Sequence, residues 1–274
     1  MAETPEDADA PDIPAPARGG SAILRDRYFI DGSKPLPDLD SPNAKAYAAE
    51  DRRDLSRKLF ALVCTPGLPV RTAAINAMRG SPGRGFLGLV EAEPVFWEPL
   101  EQKTMIVVLE RPAGGRVVDQ LRRGNAKLTE YDIPRRVIDP IVEGLRELHL
   151  LKVAHRAIRP DNIFFLDEDR QEIVLGECVT APPGFDQPIM FEPIERALAM
   201  PSGRGEGGLT DDMYAMGATF VVLTLGHNPV EKAKPEDQLI RRLDHGSYAS
   251  ICGNARIPIS LLEPLRGLLS DNAT

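Results

Sequence analysis

The sequence lacks the signals of several protein classes. Its three cysteines, Cys64, Cys178 and Cys252, lie far apart and away from any histidine cluster, so neither a disulfide framework nor a zinc site is predicted. No apolar run approaches the ~20 residues that span a bilayer, and the first residues do not form a signal sequence. The net charge of −8, without a dense Lys/Arg run, argues against nucleic acid or an anionic membrane as the main partner. We therefore expect a soluble, cytoplasmic domain.

Acidic residues are missing from one long stretch and concentrated in another. No Asp or Glu occurs between Leu55 and Val90. Residues 1–21, by contrast, are acidic and rich in proline and alanine, and this composition predicts a disordered tail. The hydrophobic content of the whole chain, 42%, is enough for the core of one globular unit in the remainder.

One short segment is the most informative. Residues 153–165 read Val-Ala-His-Arg-Ala-Ile-Arg-Pro-Asp-Asn-Ile-Phe-Phe and place His155, Arg156 and Asn162 around Ala157. The segment resembles the catalytic loop of protein kinases, His-Arg-Asp-x-x-x-x-Asn. In that loop the Asp accepts the proton of the attacking hydroxyl and the Asn holds a magnesium ion. Alanine cannot accept a proton, so the chain resembles a pseudokinase, a kinase-like domain without its catalytic groups.

The resemblance extends over residues 22–274, with its segments in the correct order. Residues 131–149 resemble the helix that leads into the catalytic loop, because their apolar side chains have the spacing of one buried helical stripe. The stripe consists of Ile138, Ile141, Val142, Leu145 and Leu148. Residues 105–115 resemble the strand and hinge between two lobes, and residues 193–195 resemble the Ala-Pro-Glu that closes the activation segment. Asp212 resembles the Asp that begins the buried central helix and would accept hydrogen bonds from the catalytic-loop backbone.

This resemblance implies an α+β, two-lobed protein kinase-like fold. Residues 22–112 would form a small, β-rich N-lobe with the hinge, and residues 113–274 a larger helical C-lobe. Glu195 matches the Glu of Ala-Pro-Glu, but the chain stops before the Arg that normally pairs with this Glu. We therefore expect a C-lobe that is cut before its last helix.

The groups with which kinases hold ATP and magnesium are missing. Residues 31–42 stand in place of the glycine-rich loop, but contain prolines without amide hydrogens and three carboxylates that would repel phosphate. Residues 59–64 resemble Val-Ala-Ile-Lys with Val63, or by a one-residue slip Cys64, at the lysine. The stretch between Leu55 and Val90 contains no Asp or Glu, so it offers this position no Glu partner. Gly176 stands at the metal-binding Asp.

The resemblance places Ala61, Leu109, Glu110 and Phe164 in the remnant nucleotide cleft, where the ring of Phe164 would add bulk beneath the adenine. With no metal-ligand set and no phosphate-binding cation, the sequence argues against ATP and Mg²⁺ as cofactors.

Other polar residues have two interpretations each. Glu177 is either a displaced magnesium ligand or, as we favour, a solvated loop residue. Arg156 either binds a phosphorylated Thr180, the one hydroxyl between Gly176 and Glu195, or ties backbone carbonyls, which we favour. His155 is better explained as a buried, hydrogen-bonded side chain than as a substitute base. Asn162 is better explained by a backbone hydrogen bond than by a metal.

A second glycine-rich segment is a weaker candidate. Residues 203–208 satisfy Gly-x-Gly-x-x-Gly, but they do not follow a strand. Asp211 and Asp212 already occupy the positive end of the next helix and would repel a phosphate. A surface loop is the favoured interpretation.

The sequence thus predicts a pseudokinase domain without phosphotransferase activity, acting in signalling as a protein-binding scaffold or allosteric regulatory module. The alternative is a divergent kinase-fold enzyme that catalyses another ATP-dependent transfer to protein. A protein partner is expected. Its identity and the oligomeric state stay open.

Overall fold

The computed structural model describes residues 20–80, 85–180, 182 and 187–271. Most of the predicted tail, residues 1–19, lies outside the described residues. The first strand begins at Ser21. Among the described residues, none of the helices is both long and apolar enough to cross a membrane.

The N-terminal lobe is built on one antiparallel sheet. Its strands are β1 (Ser21–Leu24), β2 (Tyr28–Pro35), β3 (Ala44–Asp51), β4 (Leu59–Cys64), β5 (Leu89–Trp97) and β6 (Gln102–Glu110). The strand order is β1-β2-β3-β4-β6-β5, and helix α1 (Thr72–Gly80) lies between β4 and β5 in the chain. A β-rich N-terminal region is therefore present, as the resemblance implies.

The two faces of this sheet bury different side chains, because successive residues of a strand point to opposite faces. One face forms an upper cluster around Trp97, which is separate from the main core of the molecule. The other face joins that main core together with the helical lobe. In β4 this alternation puts Ala61 and Val63 in the upper cluster and Phe60 and Leu62 in the main core.

The second lobe is largely helical. Its helices are α2 (Val117–Arg122), α3 (Asp139–Leu150), α4 (Ile194–Leu198), α5 (Leu209–Leu225), α6 (Pro235–His245), α7 (Ser247–Cys252) and α8 (Ile259–Leu268). A small sheet of β7 (Gly115–Arg116), β8 (Ile163–Phe165) and β9 (Ile173–Leu175) lies beside the junction of the lobes. Helix α5 is buried along most of its length, as a central helix must be.

Helix α3 differs in detail from the predicted stripe. A π-helical segment, Ile133–Ile138, precedes it, and Pro134 and Pro140 lack the N–H groups that would continue a regular α-helix there. Ile141, Leu145 and Leu148 are buried as predicted, but Val142 is 41% exposed. The predicted stripe was therefore one residue too wide.

Candidate functional site

The segment around His155 is held by a buried carboxylate. Asp212, in the first turn of α5, is fully buried. Its Oδ2 accepts the N–H of His155 at 2.7 Å and its Oδ1 accepts the N–H of Arg156 at 2.8 Å. His149 Nε2 lies 2.8 Å from the same Oδ2. Both backbone hydrogen bonds expected of Asp212 are therefore present, although Arg156 has an unfavourable φ of 63°.

A guanidinium holds the same segment from the other side. Arg71, immediately before α1, donates from Nη1 to the carbonyls of His155 (2.8 Å) and Cys178 (2.7 Å), and from Nη2 to that of Ala154 (2.7 Å). It is only 6% exposed. Helix α1 is thus attached to the catalytic-loop backbone through an arginine, whereas no lysine–glutamate pair is available to it.

His155 is buried and uses both ring nitrogens. Its ring stacks on Phe86 with centroids 5.7 Å apart. Nδ1 accepts the N–H of Ala157 at 3.2 Å, so Nε2 carries the hydrogen and donates to the carbonyl of Gly176 at 3.2 Å. Burial lowers the pKa of His155 to about 4, which keeps the ring neutral at neutral pH. A ring so occupied has no free nitrogen with which to act as a base.

Gly176, the residue predicted to stand at the metal-binding carboxylate, has no room for a side chain. A Cβ atom on Gly176 would lie 1.9 Å from Oδ1 of Asn162 and 2.9 Å from the ring of Phe164. Asn162 is fixed there because its Nδ2 donates to the carbonyls of Ala157 (2.8 Å) and Glu177 (2.9 Å). Any side chain at residue 176 would therefore displace the asparagine amide.

Glu177 differs from the expectation of a solvated side chain. It is 5% exposed, and its Oε2 accepts the N–H groups of Val179 (2.5 Å) and Thr180 (2.8 Å). Its Oε1 accepts the hydroxyl of Thr180 at 2.5 Å. The carboxylate of Glu177 therefore stabilises the turn of residues 177–180, of which Glu177 is the first residue. Among the described residues, no group of three His, Cys, Asp or Glu could hold a metal ion.

The side chains of β4 that face the cleft lie one position away from the predicted Ala61. Ala61 and Val63 point into the upper cluster, while Phe60 and Leu62 point into the cleft between the lobes. A one-residue shift reverses every side chain of a strand. Cys64 is on the cleft side of the strand but lines a separate cavity of about 210 Å³. Of the two positions that the sequence offered for the lysine, Val63 therefore points away from the cleft and Cys64 lies on its side of the strand, and neither side chain is a cation.

The cleft is closed by residues 36–43, the connection from β2 to β3, which we call the strap. Leu39 of the strap is 8% exposed and belongs to the main core. Arg116 donates to the carbonyl of Asp40, and the hydroxyl of Ser41 lies 2.8 Å from that of Thr180. The remaining cavity measures about 20 Å³, room for about one water, whereas sites for drug-sized ligands measure ~300–1,000 Å³.

The hinge offers no backbone donor to a ligand. The N–H of Glu110 is bonded to the carbonyl of Gly88, that of Arg111 to Lys58 and that of Ala113 to Leu166, at 2.8–2.9 Å. Pro112 has no N–H. Of the predicted cleft residues in this region, Leu109 and Phe164 are buried in the main core. Glu110 is exposed and its carboxylate lies 3.4 Å from Arg57 instead.

The activation segment is anchored by an internal carboxylate. Arg156 donates from Nη2 to both oxygens of Glu192, at 2.8 and 3.0 Å, and also approaches Asp211. The favoured expectation, that Arg156 ties backbone carbonyls, is therefore wrong. Arg242 performs that task, donating to the carbonyls of Ile189 and Glu192. Glu195 is exposed and makes no ion pair with the described residues, so Glu192 is the buried glutamate of this segment.

The glycine-rich residues 203–208 form a loop before α5. Asp211 Oδ2 accepts the N–H of Gly208 at 2.7 Å, so a carboxylate of the chain already occupies the helix start. This placement favours the surface-loop interpretation over a phosphate site.

Comparisons with known proteins agree with this geometry. No protein-family model matches the chain. It is 28% identical over 167 residues to a calcium and calcium/calmodulin-dependent serine/threonine-protein kinase of Oryza sativa subsp. japonica, covering 57% of this chain and 32% of that protein. It is 26% identical over 155 residues to a probable dual specificity protein kinase YAK1 homolog of Encephalitozoon cuniculi, covering 54% and 36%. The chain therefore spans about a third of the length of these curated relatives.

Among solved structures, Rad53 residues 1–466 in complex with AMP-PNP superposes with a TM-score of 0.65 at 17% identity, covering 85% of this chain and 58% of that chain. The fold is thus protein kinase-like, and the α+β prediction is confirmed.

The first prediction concerns Asp212. We expect Asp212→Leu to lower the free energy of unfolding by about 1–3 kcal/mol for each buried N–H that it leaves unpaired. Asp212→Asn keeps one acceptor and should cost less. Urea denaturation measures both, with Glu195→Gln as the matched control because the exposed side chain should change stability by about 0.5 kcal/mol at most. If Asp212→Leu is as stable as the parent, the hydrogen bonds are not supporting the loop.

The second prediction concerns the contact between Gly176 and Asn162. Gly176→Ala should destabilise the parent, because the new methyl group meets the asparagine amide. In an Asn162→Ala background the same change should cost less, with a coupling free energy of about 1–2 kcal/mol in a double-mutant cycle. Gly267→Ala, whose added Cβ meets nothing within 4 Å, is the control. Additive effects would show that the amide does not fill the space.

Proposed function

We propose that this chain is a pseudokinase domain without phosphotransferase activity, which acts in the cytoplasm as a protein-binding scaffold or allosteric regulatory module. The observation that carries the proposal is the contact of Gly176 with Asn162. The amide of Asn162 fills the place where a kinase needs its metal-binding carboxylate. Activity could not be regained there by a small shift of a neighbouring acid, because Glu177 is engaged in its own turn.

The other missing groups would be needed for the same reaction, phosphoryl transfer. Ala157 supplies no base, Cys64 supplies no cation, and the strap leaves no space for phosphates. A missing general base costs ~10²–10⁴ in rate, and a missing charge-stabilising group costs about a hundredfold or more. Such costs do not add simply. Here, however, nucleotide, metal and base sites are all affected, which supports an inactive domain over a slow enzyme.

The contacts of Arg71 and Arg156 support a binding role. Arg71 fixes α1 through backbone carbonyls, and Arg156 fixes the activation segment through Glu192, so both elements are held by contacts within the chain. A surface that is already ordered binds a protein partner at a lower entropic cost than one that must be ordered. We propose a protein partner, because the net charge of −8 disfavours nucleic acid.

The third prediction is that ATP leaves the melting temperature unchanged, with Mg²⁺, with Mn²⁺ or with neither. A ligand at about a hundredfold over its Kd adds ~2.7 kcal/mol to the stability of the folded state. An active protein kinase, run in parallel, shows that the assay detects binding. A reproducible Mg²⁺-dependent rise for this chain would contradict the closed cleft and support the alternative, an enzyme that catalyses another ATP-dependent transfer to protein.

The fourth prediction is that Ala157→Asp alone does not create phosphoryl transfer. The new carboxylate would have no oriented γ-phosphate to act on. Incorporation of radiolabelled phosphate into a generic acceptor, and into the protein itself, is the measurement. The parent chain is the matched control, since it differs only at residue 157. Recovered activity in the variant would mean that other side chains bind the nucleotide.

A further inference from the structure

The strap is attached to the activation segment through one side chain of its tip. Ser41 begins a tight turn with Ala44, in which the N–H of Ser41 meets the carbonyl of Ala44 at 3.0 Å and the reverse bond measures 3.3 Å. Pro42, at the outside of this turn, is exposed, and Ser41 is half-buried. The hydroxyl of Ser41 points inward to Thr180, which is 3% exposed.

The direction of this hydrogen bond follows from its neighbours. A hydroxyl has one hydrogen to donate. Thr180 gives its hydrogen to Oε1 of Glu177, which as a carboxylate can only accept. Thr180 must therefore accept from Ser41, and Ser41 must donate. The attachment of the strap thus depends on the hydroxyl hydrogen of Ser41.

From this arrangement we propose that Ser41 is a phosphorylation site whose modification releases the strap from the cleft. The sequence Ser41-Pro42 fits a proline-directed serine/threonine kinase with ATP as co-substrate. The Ser41 oxygen would form a bond to the γ-phosphorus as the bond to the β-phosphate oxygen breaks. ADP leaves, and the hydroxyl proton passes to the base of the modifying kinase.

Two physical effects would then move the strap. The phosphorylated oxygen can no longer donate to Thr180, and the added charge of about −1.5 to −2 lies one hydroxyl away from the buried carboxylate of Glu177. Of the cations that line the cleft, Arg116 is engaged by the backbone carbonyl of Asp40 and Arg159 pairs with the carboxylate of Asp161. A cavity of about 20 Å³ cannot hold a phosphoryl group. The modified side chain must therefore turn towards solvent.

The fifth prediction tests this release on the full chain. Three other sites have a hydroxyl before proline, Thr4, Thr65 and Ser81, so all three are changed to alanine. The protein is incubated with a proline-directed kinase and ATP·Mg²⁺, and peptide mass spectrometry locates the phosphoryl group. Hydrogen exchange then follows the amides of residues 39–46. We expect modification at Ser41 of the folded protein and exchange about tenfold faster or more in this segment, as expected for loss of a hydrogen bond with added repulsion.

Two variants make the outcome decisive. Ser41→Asp should also accelerate exchange in the strap, whereas Ser56→Asp, at an exposed serine of the β3–β4 connection, should not. Unmodified Ser41 in the folded protein, alongside modification of a peptide of residues 33–49, would overturn the proposal, as would unchanged or slower exchange after modification. The proposal rests on the closed cleft and not on the scaffold role. Its failure would leave the ATP and phosphoryl-transfer tests unaffected.

Discussion

The backbone of residues 154–156 is fixed by two buried, oppositely charged side chains, and much of the rest of the structure depends on this double attachment. Asp212 accepts the N–H groups on one side, and Arg71 donates to the carbonyls on the other. Backbone dipoles are the main partners of both buried charges, and His149 and Glu206 lie near them as side-chain partners, which lowers the cost of burying the two ions. The same two contacts bring α5 and α1 to the catalytic loop, and thereby fix the relation of the two lobes.

The groups of a phosphotransferase are not simply missing, since neighbouring atoms use the positions that they would occupy. Asn162 fills the space beside Gly176, and Glu192 neutralises Arg156 where a phosphorylated residue could otherwise bind. Leu39 and Phe60 fill the cleft with apolar atoms. A buried charge without a partner is costly, and so is an empty cavity. The chain avoids both costs with side chains of its own.

The residues of the candidate site that lie in contiguous motifs could be predicted from the sequence. His155, Ala157 and Asn162 lie within one segment, and Asp212 begins a long apolar helix, so the resemblance to protein kinase motifs could assign roles to them. The predictions were wrong where the position of a side chain depended on a shift of one residue in strand register or on a contact between residues distant in sequence. A slip of one residue exchanged the faces of Ala61 and Phe60 in β4. Glu177, exposed in prediction, is buried because residues distant in sequence cover its turn.

The contacts of Arg71 and of the strap left only weak traces in the sequence. Arg71 is a cation at the start of a helix within an acid-free stretch, yet its partners lie more than 80 residues further along the chain. Leu39 is a single apolar residue among prolines and carboxylates, which is typical of a surface loop. Leu39 is buried in the main core, and its neighbours Asp40 and Ser41 bond to Arg116 and Thr180 of the other lobe. In a kinase that binds ATP, the nucleotide contributes to the stability of the closed cleft in proportion to its concentration. Here the strap contacts the other lobe at the same place, so the closed cleft is held by hydrogen bonds and apolar contacts within the chain.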